Sequence, residues 1–380
     1  MGLEVAFCAG EASGDLNGAF LASELKKLRG DLTLWGTGGP KMRDAGVDIT
    51  IDTTDGGTIS ISQALKSLPS TAVRYLRLRS ALLRRPPDLF VPIDFGAFNI
   101  RMAQIAHKNG IPVVYYFPPS SWRRRPRNAD KLKACGGKVI TPFSWSAEFL
   151  QSQGIDARWV GHPLVDIVKP ERDRDRFLDE HGLSASLPTI CLLPGSRAHE
   201  LKEHLQPMIG TARIMDHELG GAQFVIGALG PGIRQMVEKL ASESGPAIRV
   251  VEGQTYDCIA HSDFLITKSG TATLEAAILG TPMLIVYRGT AIMRFEFLFR
   301  KSVLENFIGM PNIVADRGVC PELINEAVTA EKMADISLSL MRDEARLAKM
   351  RSELAGVRER LGEPGAVARA AEAVLEMAGL

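Results

Sequence analysis

Cysteine is scarce and poorly placed for structural chemistry. The five in 380 residues, Cys8, Cys135, Cys191, Cys258 and Cys320, are scattered with no C-x-x-C pair. That spacing argues against a zinc site or a disulfide framework and fits a reducing compartment. Net charge is nearly absent: 45 Lys and Arg against 44 Asp and Glu leave +1. No global field therefore draws nucleic acid, and any attraction for anions is local. No apolar run approaches the ~18 residues of a membrane-spanning helix. The opening MGLEVAFCAGEASGD turns polar too soon for a signal peptide. Together these absences point to a soluble, cytoplasmic protein.

What the chain does have is a rhythm. A length of 380 residues suggests two domains of roughly 150–200 residues each. Short apolar runs alternate with helical patterns: LEVAFCAG, LTLWGTGG, PDLFVPID, PVVYYF, KVITPF and ARWVGHP, then a restart with TICLLPG, QFVIGAL, IRVVEG, DFLITKSG and PMLIVYRG. Strands separated by helices imply parallel pairing with right-handed crossovers. The expected fold is α/β: two doubly wound Rossmann-like domains facing a cleft, residues 1–168 and 169–330. A charged bridge, VKPERDRDRFLDEHGLSASLP, joins them. The tail, 331–380, reads as helices packing back across the domains or between subunits.

Open α/β sheets bind ligands outside the carboxyl ends of their strands, so the turns that follow strands are the candidate sites. LLPGSR ends one strand and starts a helix, offering the backbone N–H groups around Ser196, the positive end of a helix dipole, and the Arg197 guanidinium. An ordinary turn with a solvated arginine is the bland account. TKSGTATLE supplies Ser269, Gly270, Thr271 and Thr273 at a second helix start, with Glu275 placed to accept ribose hydroxyls; the same residues also make a capping-box pattern. Two anion-friendly helix starts in one domain favour a nucleotide diphosphate. In the first half, AGEASGD presents small residues after strand one, where Ser13 or Asp15 could equally cap the next helix. Neither it nor GTGGPKM is G-x-G-x-x-G, which disfavours a nicotinamide dehydrogenase. FVPIDFGAFN sets Asp94 after an apolar strand, as a general base of raised pKa or as a turn aspartate; Asn99 could do either job.

Two basic stretches complete the inventory. Arg123, Arg124, Arg125, Arg127, Lys131 and Lys133 follow a strand-end turn and face an anion or simply solvent. Residues Ile59–Arg85 combine Leu65, Leu68, Leu76, Leu82 and Leu83 with Lys66, Arg74, Arg77, Arg79, Arg84 and Arg85. Such an amphipathic helix suits an anionic membrane surface or a core edge.

In order, GEASGD, GTGGPKM, IDFGAFN, YYFPPSSW, VGHPLVD, LLPGSR, SGTATLE and MPNIVA resemble the motifs of lipid-A-disaccharide synthases, from Val5 to the C-terminal helices. The resemblance implies a two-domain glycosyltransferase fold of the GT-B type. It implies an inverting transfer that joins UDP-2,3-diacylglucosamine to 2,3-diacylglucosamine 1-phosphate and releases UDP, with no metal and no cofactor. It places the protein peripherally at the cytoplasmic face of the inner membrane, docked by the Ile59–Arg85 segment. Because the family's tail helices can exchange between subunits, a homodimer is an expectation. On this resemblance Asp94 is the base toward the acceptor's 6-hydroxyl, and Arg197 neutralises the departing UDP. Ser196, Ser269, Gly270, Thr271, Glu275 and Asn312 hold the nucleotide. Glu11, Ser13, Gly14, Asp15 and Asn99 contact substrate, and Arg123, Arg124 and Arg125 are candidate acceptor-phosphate contacts. Two departures stand out. Gly96-Ala97 replaces the family's second aspartate, and arginines replace its second tryptophan and neighbours. Alternatives are another GT-B enzyme using a UDP-sugar on a different lipid-linked acceptor, or a catalytically silent sugar-nucleotide or lipid binder. Turnover separates them.

Overall fold

The computed structural model describes residues 2–53, 61–119, 125–196, 198–228, 234, 235, 237, 246–289 and 307–380. The chain forms two compact units: Met1–Asp166 with Leu361–Leu380, and Ile167–Arg360.

In the first unit, β1 (Glu4–Cys8), β2 (Thr33–Gly38), β3 (Asp48–Asp52) and β4 (Leu89–Pro92) pair in parallel, in the order β3-β2-β1-β4. β5 (Tyr115–Tyr116), β6 (Lys138–Thr141) and β7 (Asp156–Trp159) pair likewise. Single parallel bridges, Phe90 to Val113 and Ile93 to Tyr116, join the two sets. β3 escapes the apolar-run reading because it is an edge strand of alternating exposed and half-buried residues. The strand order reverses after β1, which makes the gap between β1 and β4 a topological switch point.

The central strands are apolar on both faces because helices cover both. Val5, Phe7 and Ala9 pack with Leu21 and Leu25 of the helix Ala12–Leu28, and with Ala370, Ala371 and Val374 of the C-terminal helix Ala366–Ala378. Ala6 and Cys8 point the other way, toward Leu78 and Leu82 of the helix Ile61–Arg84 and Met102 of the helix Gly96–Lys108. At about 1.5–3 kcal/mol per large side chain buried, the C-terminal helix is part of this core, packed against its own chain. The tail is therefore not one block. Helices Ala330–Met341 and Glu344–Glu359 belong to the second unit, and Leu361–Leu380 alone returns to the first.

Side chains fix that returning helix at both ends. Asp166 accepts the backbone N–H groups of Gly365 (2.6 Å) and Val367 (3.0 Å) at its start, where a carboxylate suits the helix dipole. Lys138 Nζ donates to the Met377 carbonyl (2.6 Å) at its end.

The second unit holds β8 (Thr189–Leu193), β9 (Gln223–Ala228), β10 (Ile248–Glu252), β11 (Phe264–Lys268), β12 (Met283–Tyr287) and β13 (Glu322–Ile324). They form one parallel six-stranded sheet, β10-β9-β8-β11-β12-β13. The order again reverses after the first strand, here between β8 and β11. The charged bridge is structured within this unit. The buried Asp257 carboxylate accepts N–H groups of Glu171 (2.8 Å) and Arg172 (2.9 Å) and lies 3.3 Å from Arg172 Nη1. Residues Arg174–Glu180 follow as a helix capped by Asp173. All five cysteines are buried and free.

Asp166→Ala is expected to destabilise the docked C-terminal helix by about 1–2 kcal/mol, the usual cost of losing a cap. Pulse proteolysis in urea, with cleavage inside residues 366–378 as reporter, measures it. An unchanged midpoint would remove Asp166 from this role.

Candidate active site

At the carboxyl end of β4 the chain enters an unusual turn. Asp94 (φ 47°), Phe95 (φ 56°) and Gly96 (φ 46°) are all left-handed. For the two non-glycine residues this costs about 1–2 kcal/mol each, so the surroundings have to impose it. Asn99, fully buried, donates through Nδ2 to the carbonyls of Cys8 (2.8 Å), Ile93 (3.0 Å) and Asp94 (3.1 Å). The Tyr115 hydroxyl donates to the same Asp94 carbonyl at 2.8 Å, and Asp94 N–H reaches Tyr116 O at 3.2 Å. The Phe95 ring lies where a Cβ on Gly10 would stand, 2.1 Å from its Cγ. The turn after β1 thus has a glycine so that the turn after β4 can fold over it.

These contacts secure the Asp94 backbone and leave its carboxylate to other use. Burial raises its pKa from 3.8 to about 6, and the charge of Glu11 adds to the rise; a hydrogen bond from the Phe95 backbone opposes it. Glu11 closes the turn after β1 at the N-cap position of the helix Ala12–Leu28, without a side-chain cap bond. Asp94 and Glu11 therefore face one another electrostatically across the switch point.

The other residues of this turn do different work from that expected. Asp15 does not cap its own helix and is not open to substrate. It is 2% exposed, and its carboxylate accepts N–H groups of Gly39 (2.8 Å), Lys41 (3.1 Å) and Met42 (3.0 Å) at the start of the short helix Pro40–Asp44. Gly14 is buried, and a Cβ there would stand 3.3 Å from Ala9 Cβ; its smallness serves helix–strand packing. Asn99 clamps the Asp94 turn through its Nδ2. Ser13 is exposed on the first turn of its helix.

In the second unit the two turns at the switch point are tied together. Ser196 N–H donates to Glu200 Oε2 at 3.1 Å, so this amide is taken by the protein's own carboxylate and not left for a phosphate. Glu200 Oε1 lies 2.7 Å from Lys268 Nζ at the end of β11. The Ser269 hydroxyl donates to the Ile308 carbonyl (2.8 Å). Gly270 is the N-cap of the helix Thr271–Leu279 and brings no side chain to cap it, so a Ser/Thr N-cap is not used here. Thr271 is exposed there. Glu275 is half-buried one turn on, 3.5 Å from the Tyr256 hydroxyl.

Asn312, 1% exposed, is fully engaged in scaffolding. Its Nδ2 donates to Cys320 O and Glu322 Oε1, and its Oδ1 accepts Val319 and Cys320 N–H groups. It holds the loop that leads to β13. Arg125 occupies the N-cap position of the helix Pro126–Lys133. Arg123, Arg124 and Arg197 lie outside the described residues. Glu200, Lys268, Tyr256 and Gly10 were not singled out in the sequence. Glu200 and Lys268 carried a signal, standing in the two phosphate-type turns with opposite charge.

Residues 5–377 match the family described as Lipid-A-disaccharide synthetase. A lipid-A-disaccharide synthase of Syntrophus aciditrophicus (strain SB) is 34% identical over 374 residues, spanning 98% of this chain and 97% of that one. Among solved structures, a UDP-N-acetylglucosamine 2-epimerase homologue from Listeria monocytogenes superposes with a TM-score of 0.68 at 16% identity, over 99% of this chain and 96% of that one. The calicheamicin glycosyltransferase CalG4 does so at 0.60 and 16%, over 100% and 98%. Likeness at that identity speaks for a shared GT-B fold.

Asp94 is expected to titrate near pH 6 instead of 3.8, observed by carboxyl carbon NMR, and Glu11→Gln to lower that midpoint. The sign follows from linkage. The unfolded chain ionises first, so the stability this carboxyl confers is full below about 3.8 and is lost as pH rises through 6. A midpoint unmoved by Glu11→Gln would separate the two carboxylates.

Proposed function

We propose roles for these residues from the premise that the chain belongs to the lipid-A-disaccharide synthetase family. The protein is an inverting hexosyltransferase of GT-B fold that joins UDP-2,3-diacylglucosamine to 2,3-diacylglucosamine 1-phosphate and releases UDP. Asp94 takes the proton of the acceptor's 6-hydroxyl, and the freed oxygen attacks the donor's anomeric carbon from the face opposite the diphosphate. The bond from that carbon to the phosphate oxygen breaks, and its electron pair leaves on UDP. The observation that carries this assignment is the Asp94 turn: a carboxyl with a pKa near 6 is largely ionised at neutral pH yet basic enough to accept a proton in the transition state.

The second unit binds the nucleotide. The start of the helix Thr271–Leu279, with Gly270 ahead of it, supplies backbone N–H groups and a helix dipole to the diphosphate, and Arg197 adds a cation. Glu275 takes the ribose hydroxyls. Asn312, Asn99 and Asp15 support these groups without touching substrate.

The helix Ile61–Arg84 is the membrane contact. Val73 (48%) and Leu76 (59%) stand exposed beside the exposed Arg77, Arg79 and Arg84, a pairing that suits anionic lipid headgroups. Leu82 does not join this face, being in the core. Nor does Arg85, which forms an ion pair with Glu4 at 2.7 Å. Among the described residues no helix is long and apolar enough to cross a membrane.

Purified protein given UDP-2,3-diacylglucosamine is expected to release UDP only when 2,3-diacylglucosamine 1-phosphate is present, with a disaccharide lipid seen by mass spectrometry. Asp94→Asn should cut turnover by about 10²–10⁴-fold while leaving the UDP dissociation constant nearly unchanged. Retained activity in that variant excludes Asp94 as the base. For the membrane contact, Val73→Asp with Leu76→Asp should reduce co-sedimentation with anionic vesicles several-fold; equal binding by both proteins would place the contact elsewhere.

A further inference from the structure

The pair formed by Lys268 and Glu200 has no part in the roles above. Its Nζ and Oε1 are 2.7 Å apart, with the two side chains 14% and 6% exposed. A pair buried this deeply adds little net stability, because desolvating both charges roughly cancels their attraction. Its placement therefore calls for another account. β8 and β11 are neighbours on either side of the switch point, and the pair bridges the turns at their carboxyl ends.

Glu200 is held on its other oxygen by Ser196 N–H at 3.1 Å. Gly195, at φ +121°, leaves it room, since a Cβ there would stand 2.6 Å from Glu200 Cβ and Oε2. The carboxylate thus occupies the start of the helix Ala198–Glu218, a place that otherwise attracts an anion, and presents Lys268 to its neighbour. On that side a Cβ at Gly270 would lie 3.6 Å from Lys268 Nζ. The ammonium therefore stands beside the N-cap of the helix Thr271–Leu279, which as a glycine brings no capping side chain of its own. An ammonium carries three N–H donors, and the Glu200 contact uses one.

We propose that Lys268 is a diphosphate contact of the donor site, held beside Gly270 by Glu200. It donates a hydrogen bond to the nucleotide's phosphate oxygens and offsets the charge that gathers there as the donor is cleaved. The ammonium keeps its proton throughout. The acceptor oxygen supplies the electron pair of the new bond, its proton goes to Asp94, and the pair of the broken bond stays on the diphosphate. This inference rests on the reading that the second unit binds a UDP-sugar.

Calorimetry on the full chain, with UDP and with uridine as separate ligands, tests it. Lys268→Met is paired with Glu200→Gln, so that neither charge is left buried alone. The double variant is expected to bind UDP about 10- to 100-fold more weakly, the range for losing a charged hydrogen bond, and uridine as before. Lys268→Arg should recover most of the UDP affinity. Equal losses for UDP and uridine would reduce the pair to a structural staple and overturn the proposal, as would unchanged UDP binding. If the unsubstituted chain binds neither ligand, the UDP-sugar reading itself falls, and this proposal with it.

Discussion

A parallel sheet whose strand order reverses after its first strand sends neighbouring crossovers to opposite faces, and the backbone between them is left uncovered at the strands' carboxyl ends. Both units obey that constraint, at β1 and β4 and again at β8 and β11. Glu11 and Asp94 flank the first gap, and Ser196 and Lys268 the second. The sites proposed for proton transfer and for the diphosphate thus share one topological cause, and the remainder of each unit supports the two turns at its gap.

The carboxylates divide by how many backbone N–H groups they meet. Asp15 accepts from Gly39, Lys41 and Met42, Asp166 from Gly365 and Val367, and Asp257 from Glu171 and Arg172. Each neutralises a helix start or ties down a loop, as a buried anion can do at little cost when donors surround it. Asp94 is half-buried without such a cluster and beside another acid, so its pKa climbs to about 6. Of the carboxylates named here, Asp94 is the one that no cluster of backbone donors surrounds. The strained turn that displays it persists because Asn99 and Tyr115 bind its carbonyl and because Gly10 admits the Phe95 ring.

Much of this was legible in the residues. The central strands are apolar along their whole length, and the unusual turns follow them directly, so Asp94, Ser196 and Ser269–Thr271 could be placed at strand ends from local pattern alone. What could not be read was where side chains close over long separations. Asp15 reaches a helix start more than twenty residues on, and the Glu200 carboxylate meets Lys268 with |i−j| of 68. Asp15 and Asn99 read as site residues because Asp and Asn at a strand end serve scaffolds and ligands equally well. Asn312 shows the same limit, since a motif marks position without saying which way an amide is spent. The division of the tail was hidden for a related reason: the helix Ala366–Ala378 carries an apolar face, and only the apolar faces of β1 and β4 decide which unit it covers.

The Gly96-Ala97 departure from the family pattern also takes on a physical meaning. Gly96 sits at φ 46°, where a glycine avoids the penalty that a side chain would incur, and it follows two non-glycine residues already in that region. A side chain at Gly96 would add strain to a turn that already needs Asn99, Tyr115 and Phe95 to hold it, while Ala97, where the family's second aspartate would stand, is exposed on the first turn of the helix Gly96–Lys108. The acid near Asp94 is Glu11 on the turn after β1, part of the GEASGD motif shared with the family, and its charge is felt in the raised Asp94 pKa. A pair of carboxylates that the local sequence lacks is thereby assembled by the sheet.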